Sequence, residues 1–301
     1  MNLIISASPH ITSGVTTQKI MRDVLIALCP ALLASVLIFG WRALLVCAVC
    51  VAACVFFEWG FERLARREST ISDLSAAVTG LILAFNLPVS IPLWQAVFGA
   101  LVAIVAVKQL FGGLGKNFAN PALTARIVLF LSFSKSMTAW VFPDAVSSAT
   151  PLAQLAAGQH PDYLALLLGR HGGCLGETCA LALLLGFGYL LVRGVISWHT
   201  PVCYVGTVFL LSALLGQDAL GQILSGGLLL GAIFMATDYS TTPQTAAGRA
   251  LFGVGAGLLT CLIRFYGSYQ EGVSFAILFM NILTPYLSRW TASRPFGGAK
   301  A

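Results

Sequence analysis

Long apolar stretches with almost no charge between them decide what this chain can fold into. Lys and Arg number 17 and Asp and Glu 11 in 301 residues, so charged residues make up 9% of the sequence. A soluble domain carries about 25%. Hydrophobic residues reach 58%, and mean hydropathy is +0.88. Too few charges remain to cover a water-facing surface, and the same composition excludes a disordered chain. The unit of organisation is therefore a bilayer-spanning helix of about 20 apolar residues.

Ten apolar segments reach or approach that length, over residues 20–39, 43–61, 71–87, 93–110, 121–134, 175–192, 200–215, 220–236, 250–265 and 272–288. Several are short or interrupted by Gly and Pro. The expected fold is an all-α polytopic membrane protein with about ten transmembrane helices. With the N-terminus inside, twelve Lys and Arg fall in inside segments, four (Arg42, Lys135, Arg170, Arg264) outside, and Arg126 within a span. That bias puts both termini in the cytoplasm. The first 19 residues are polar, and no small-residue cleavage site follows the first apolar run, so a cleaved signal peptide is not expected. The basic residues form no stripe with aromatic neighbours, which excludes nucleic acid as a partner and leaves membrane lipid.

One connection is long. Residues 135–174 lie outside between spans five and six, and loops of this length are usually functional. A weak internal repeat divides the remainder. Phe98-Gly99 precedes an apolar run, then Phe111 and Ala122; Phe252-Gly253 precedes another, then Phe265 and Ala276, with the same separation of eleven. Five spans per half makes the halves inverted, which puts a pathway or site near the midplane between them. The expected divisions are a first repeat over 1–134, an extracytoplasmic loop over 135–174 and a second repeat over 175–301.

The long loop contains Asp144-Ala145-Val146-Ser147-Ser148-Ala149-Thr150-Pro151. Small neighbours let a bulky group approach the Thr150 hydroxyl, and Asp144 could cap a turn or help orient an incoming phosphate with a metal. A plain helix N-cap fits the same residues. Charges inside spans are costly and mark functional sites by default. Arg126 follows Pro121 by about one and a half turns. It is a candidate to bind a phosphate or pair with a carboxylate, and the bland alternative is snorkelling to the cytoplasmic headgroups. Asp73 opens span three beside Arg66 and Arg67, as an ion pair, an N-cap or a cation site. Asp238 stands where span eight breaks into a Thr/Ser/Pro-rich turn, the usual form of cation and substrate sites in inverted repeats; an Asp-turn is the alternative. Glu271, in an outer loop, is expected in water. Gly112–Asn120 is no phosphate-binding P-loop, since Asn117 follows Lys116. Cys47, Cys50 and Cys54 behave as small hydrophobes in span two. Cys174 and Cys179 form a disulfide or sit in helix. The four His show no metal spacing, and neither a ferredoxin Cys cluster nor a dinucleotide fingerprint occurs.

Asp144 to Thr150 fits Asp-x-x-Ser-x-Ala-Thr, which resembles the flavinylation motif read by FMN transferases, with Ser148 where Gly is usual. Ser8-Pro9-His10, Gly112 to Ala122, Ala236 to Pro243 and Phe275 to Pro285 occur in order around it. Together they resemble the NqrB/RnfD family, over nearly the whole chain. These are membrane subunits of Rnf-type ion-translocating ferredoxin:NAD+ oxidoreductases and of sodium-translocating NADH:quinone oxidoreductases. Reaching Ser8-Pro9-His10 at once is closer to the Rnf branch.

The resemblance implies two inverted five-helix bundles in the bacterial inner membrane, with the loop periplasmic. It implies FMN joined to Thr150 by a phosphoester, with Asp144, Ser147, Ser148 and Ala149 as the surrounding motif and Arg126 as a candidate flavin ligand. Asp238 and Asp73 are the candidates for ion coupling. A second, noncovalent flavin near Gly112–Asn120 and the Asp238 turn is a further expectation. The implied partners are the other subunits of the complex, including a second FMN-bearing subunit and iron–sulfur subunits, and an FMN transferase for maturation. Electrons would be relayed with coupled cation transport, and the enzyme activity would belong to the complex, with no complete active site in this chain alone. The rival reading is a small-solute channel built like urea or ammonium channels, which has no use for the Asp144–Thr150 sequence.

Overall fold

The computed structural model describes residues 14–141, 150–267 and 271–292. Ser8-Pro9-His10, Asp144, Ser147, Ser148 and Ala149 lie outside the described residues. Among the described residues there are helices and no strands. They are α1 (Thr17–Phe39), α2 (Trp41–Leu64), α3 (Ser75–Phe85), α4 (Leu93–Leu101), α5 (Pro121–Ser132), α6 (Ser134–Met137), α7 (Pro151–Ala156), α8 (Tyr163–Leu168), α9 (Ala180–Val192), α10 (His199–Leu214), α11 (Ala219–Leu224), α12 (Leu228–Leu230), α13 (Ala246–Tyr266) and α14 (Val273–Trp290). α4 continues as a π-helix over Val102–Gln109, and α12 does the same over Gly231–Met235.

Local chemistry sets several of these boundaries. The Thr16 side chain caps α1 by accepting the Lys19 N–H. Gly40, at φ 75°, ends α1 and reverses the chain into α2. The Asn120 side chain accepts the Leu123 N–H while Pro121 takes the first position of α5, where a missing N–H costs nothing.

Each of the ten apolar runs contains helix, and α1, α2 and α13 are long and apolar enough to cross a membrane unaided. Large apolar side chains such as Leu37, Trp41, Phe56, Trp59 and Leu64 face outward, as lipid-facing residues must. The protein is an all-α polytopic membrane protein.

α3, α5 and α9 are shorter than the runs that hold them. α5 has 12 residues, about 18 Å, against a hydrocarbon core of about 30 Å. Irregular backbone buried inside the protein makes up the difference. Asn117, Ala119 and Asn120 are buried ahead of α5. Span six becomes helical only at Ala180, because residues 170–179 fold back and the Leu175 and Gly176 N–H groups donate to Leu87 and Phe85 carbonyls. Span eight breaks over 225–227, between α11 and α12. Backbone of this kind survives at membrane depth only where protein buries it or it lines a cavity.

The bundle closes by pairing α1 with α9, α2 with α3 and α4, α10 with α13, and α5 with α14. Two glycines permit the closest approaches. A Cβ on Gly80 would lie 2.7 Å from Val51 Cα, and one on Gly186 would lie 2.3 Å from the Ala27 carbonyl oxygen.

Candidate functional site

Two cavities hold the sequence-predicted residues Thr150 and Asp238, one each, while Arg126 and Asp73 line neither. The first, about 220 Å³, is lined by Phe130, Thr138, Trp140, Thr150, His171, Glu177, Gly226 and Glu271 among others. Thr150 is half-buried on its rim. It is the N-cap of α7, with Oγ1 accepting the Ala153 N–H at 3.3 Å. The plain N-cap reading is thus correct as geometry, and it leaves the hydroxyl proton directed elsewhere. A phosphoester at the same oxygen would keep an acceptor in place for Ala153, so the cap and an attached FMN are compatible. Aromatic Phe130 and Trp140 beside it suit a flat apolar ring.

Behind this cavity lies a cluster of charge. Arg126 is 4% exposed and is the centre of it. Its Nη1 donates to Asn86 Oδ1 at 2.9 Å, and its Nη2 meets Glu271 Oε2 and, at 3.7 Å, Cys174 Sγ. The snorkelling alternative is therefore excluded. α5 begins inside the bundle, so five residues on from Pro121 the guanidinium reaches the Thr150 end and not a headgroup. Glu271 is likewise not the solvated loop residue expected; its side chain keeps 23% of its exposure and holds Arg126. Burial pushes the Glu271 carboxyl up to about 7 against the pull of Arg126.

Glu177 completes the group. Its Oε1 accepts the Cys174 N–H at 2.9 Å, while its Oε2 is buried with no hydrogen-bond partner among the described residues. Cys174, Glu177 and Glu271 bring donor atoms within 4.8 Å of one another, and Arg126 already bonds two of the three. Arg264 stands alongside, donating to the Gln222 and Ser225 carbonyls at the end of α11. Cys174 and Cys179 are free thiols on different partners, Arg126 and the Leu167 carbonyl, and neither is in α9.

The second cavity, about 100 Å³, is lined by Ser75, Lys108, Asn117, Asn120, Ala122, Ile82, Phe234 and Asp238 among others. Here the Gly112–Asn120 loop meets the Asp238 turn. Asp238 folds as an Asp-turn: Oδ2 accepts the Ser240 and Thr241 hydroxyls, each at 3.1 Å, and its carbonyl accepts Thr242 Oγ1. It does so on the cavity wall, so the turn and a site are the same residues. Asp73 forms no ion pair with Arg66 or Arg67 among the described residues. Its Oδ1 accepts the Ser75 N–H at 2.7 Å and so starts α3.

Sequence reasoning missed the most buried charges. Lys108, counted by sequence in an inside segment, is 2% exposed and bonds Glu58 Oε1 and Ser75 Oγ, each at 2.6 Å. Glu58 and Glu62 are 0% and 3% exposed, and each has one oxygen without a partner among the described residues. The available signal was Glu58 itself, a carboxylate inside an apolar run. Asp23 and Arg193, also passed over, pair across α1 and α9 at 3.2 Å.

A family model described as the NQR2, RnfD, RnfE family matches residues 4–297. One relative, a subunit of the Na(+)-translocating ferredoxin:NAD(+) oxidoreductase complex of Acetobacterium woodii, is 46% identical over 308 residues, covering 100% of this chain and 97% of its own. A subunit of the proton-translocating ferredoxin:NAD(+) oxidoreductase complex of Clostridium ljungdahlii is 39% identical, covering 97% and 96%. A subunit of the ion-translocating oxidoreductase complex of Escherichia coli O7:K1 is 33% identical, covering 98% and 99%.

Proposed function

The chain belongs to the NQR2, RnfD, RnfE family, and from that premise we propose that it is the membrane subunit of an ion-translocating ferredoxin:NAD+ oxidoreductase complex. In this reading it carries FMN covalently on Thr150 and relays electrons as cations cross. The observation that carries the reading is Thr150 itself. The last residue of a flavinylation-type sequence opens a helix at a cavity with aromatic walls and is half-buried there.

When bound, the flavin supplies electron carriage, and the protein supplies position and field. The chain's own contribution is specific. Thr150 fixes the attachment point to the start of α7. Trp140 and Phe130 offer apolar walls, and Glu271 stands beside the cavity, bonded to Arg126 behind it. Arg126 acts through Glu271, which it bonds directly and which lines the cavity that Arg126 itself does not line. The other subunits, iron–sulfur and flavin-bearing ones among them, would exchange electrons with this chain at the inner membrane, with the Thr150 cavity on the periplasmic side.

The test is direct. The chain is co-expressed with an FMN transferase and run on a denaturing gel. Ultraviolet fluorescence at its position, with a mass increase of one FMN phosphoester, is expected. A wild-type chain of unmodified mass would favour the solute-channel reading.

We assign Asp238 to the cation path. Its carboxylate ends a broken span on the wall of the second cavity, the usual form of a cation site in inverted repeats. Asp238→Ala should impair redox-driven cation uptake into vesicles by roughly tenfold or more, the loss of about 1.4 kcal/mol of ion stabilisation. The complex should still assemble; unchanged uptake would remove Asp238 from the mechanism. The Acetobacterium and Clostridium relatives name different ions, Na+ and protons, so the coupled ion is set by finer features than overall similarity.

A further inference from the structure

Along α5, Arg126 lies between the residues that line the two cavities and lines neither of them. On α5, Ala122 lines the Asp238 cavity and Phe130 lines the Thr150 cavity. Arg126 lies four residues from each, so the three residues occupy successive turns of one helix face, about 6 Å apart along the axis. The broken span opposite runs the same course, with Gly226 at the Thr150 cavity and Phe234 at the Asp238 cavity. On α3, Ile82 lines the Asp238 cavity, and its carbonyl accepts the side-chain amide of Asn86. That same Asn86 accepts from Arg126 and reaches Met235 Sδ at 3.8 Å. The guanidinium is thereby tied to the elements that carry the second cavity.

We propose that Arg126 is the electrostatic barrier that keeps cations from leaking between the two cavities. The inference rests on the ion-translocation reading of this chain for its purpose, but not on the flavin. A cation moving along α5 from Asp238 toward Glu177 and Glu271 would pass a positive charge held in low dielectric, where like charges repel strongly. Arginine excludes cations from other membrane pores by this means. The neighbouring charges fit the role. Glu271 and Glu177 lie on the Thr150 side of Arg126, where they attract a cation that has already passed. Arg264 faces the α11 carbonyls, whose partial negative charge it offsets. Arg126 is also held on three sides, by Asn86, Cys174 and Glu271, so its charge cannot swing out of the path without breaking those contacts.

The experiment uses the whole complex reconstituted in liposomes loaded with radioactive Na+, without reductant or oxidant, so that only passive leak is read. The wild type and Arg126→Lys, which keeps the charge, should hold Na+ alike. Arg126→Gln would strand Glu271, so the main variant is the double Arg126→Gln/Glu271→Gln, which removes both partners of the pair. It should leak at least tenfold faster. Glu271→Gln alone leaves the guanidinium in place and should stay tight. A double variant as tight as the wild type overturns the proposal. So does a leaky Arg126→Lys or Glu271→Gln, because packing and not charge would then be the seal. Flavin fluorescence of the chain is scored on the same preparations. A leaky double variant in an unflavinylated complex would uphold the barrier and defeat only the flavin assignment.

Discussion

Thr150→Asn should fold as the wild type does and carry no covalent flavin. The side chain at this position has two separable tasks. As N-cap it satisfies the Ala153 N–H, and Asn performs that task as well as Thr or better. As an attachment point it must offer a hydroxyl oxygen, which Asn lacks. Thr150→Ala loses both, and the missing cap costs about 1 kcal/mol locally. Comparing the two separates attachment from folding, which alanine alone cannot do. On a denaturing gel after co-expression with FMN transferase, fluorescence should fall to background in both variants. Thermal melting should shift only for alanine, and by no more than a few degrees, roughly 2–4 °C per kcal/mol for a chain near this size. Thr150→Ser keeps both tasks and should fluoresce. A fluorescent Thr150→Asn would mean that the flavin is attached elsewhere, and the cavity would lose its assigned role.

The fold class was legible because lipid imposes one rule on every residue: with 9% charge, the chain has to place its apolar runs against hydrocarbon. All ten runs do contain helix. What the runs concealed was their interior. An apolar stretch reads the same whether it is helix from end to end, as in α2, or part buried loop and part helix, as over residues 175–192. Hydropathy measures where a segment lies, not how its backbone runs. The misplacement of Arg126 follows from this. Counting turns from a span start at the headgroups puts it near the cytoplasm, whereas α5 starts at depth because Asn117 and Asn120 are themselves buried. Glu271 escapes a sequence reading for the same reason, since that count puts its partner at the other end. Asp238 is easier, because a Thr/Ser/Pro turn after an apolar run announces a break in any environment. The Cys residues of α2 are buried free thiols, which their apolar neighbours already required.

Lys108 and Glu58 define the largest stability effect expected in the molecule. Both side chains are essentially out of water, at 2% and 0% exposure, and their bond is 2.6 Å. Gln109 Nε2 also donates to Glu58 Oε1 at 2.8 Å, and Thr70 ties Glu58 to Glu62 through its hydroxyl. Two carboxylates thus share a pocket in which Lys108 is the one ammonium bonded to either among the described residues. Lys108→Met keeps the length and apolar stem of the side chain and leaves two buried carboxylates uncompensated. Breaking a buried pair from one side costs about 3–5 kcal/mol. For a chain near this size that corresponds to a fall in melting temperature of order 10 °C. Replacing both partners should cost far less, because a buried ion pair contributes little net stability once its desolvation is counted. The double variant Lys108→Met/Glu58→Gln should therefore melt well above Lys108→Met, a coupling that two independent sites would not show. The measurement is thermal unfolding of the purified complex in detergent for the two single variants and the double. Should Lys108→Met melt within about 2 °C of the wild type, less than one kcal/mol would be at stake, and the pair would not be the buried anchor of α2, α3 and the π-helical end of α4.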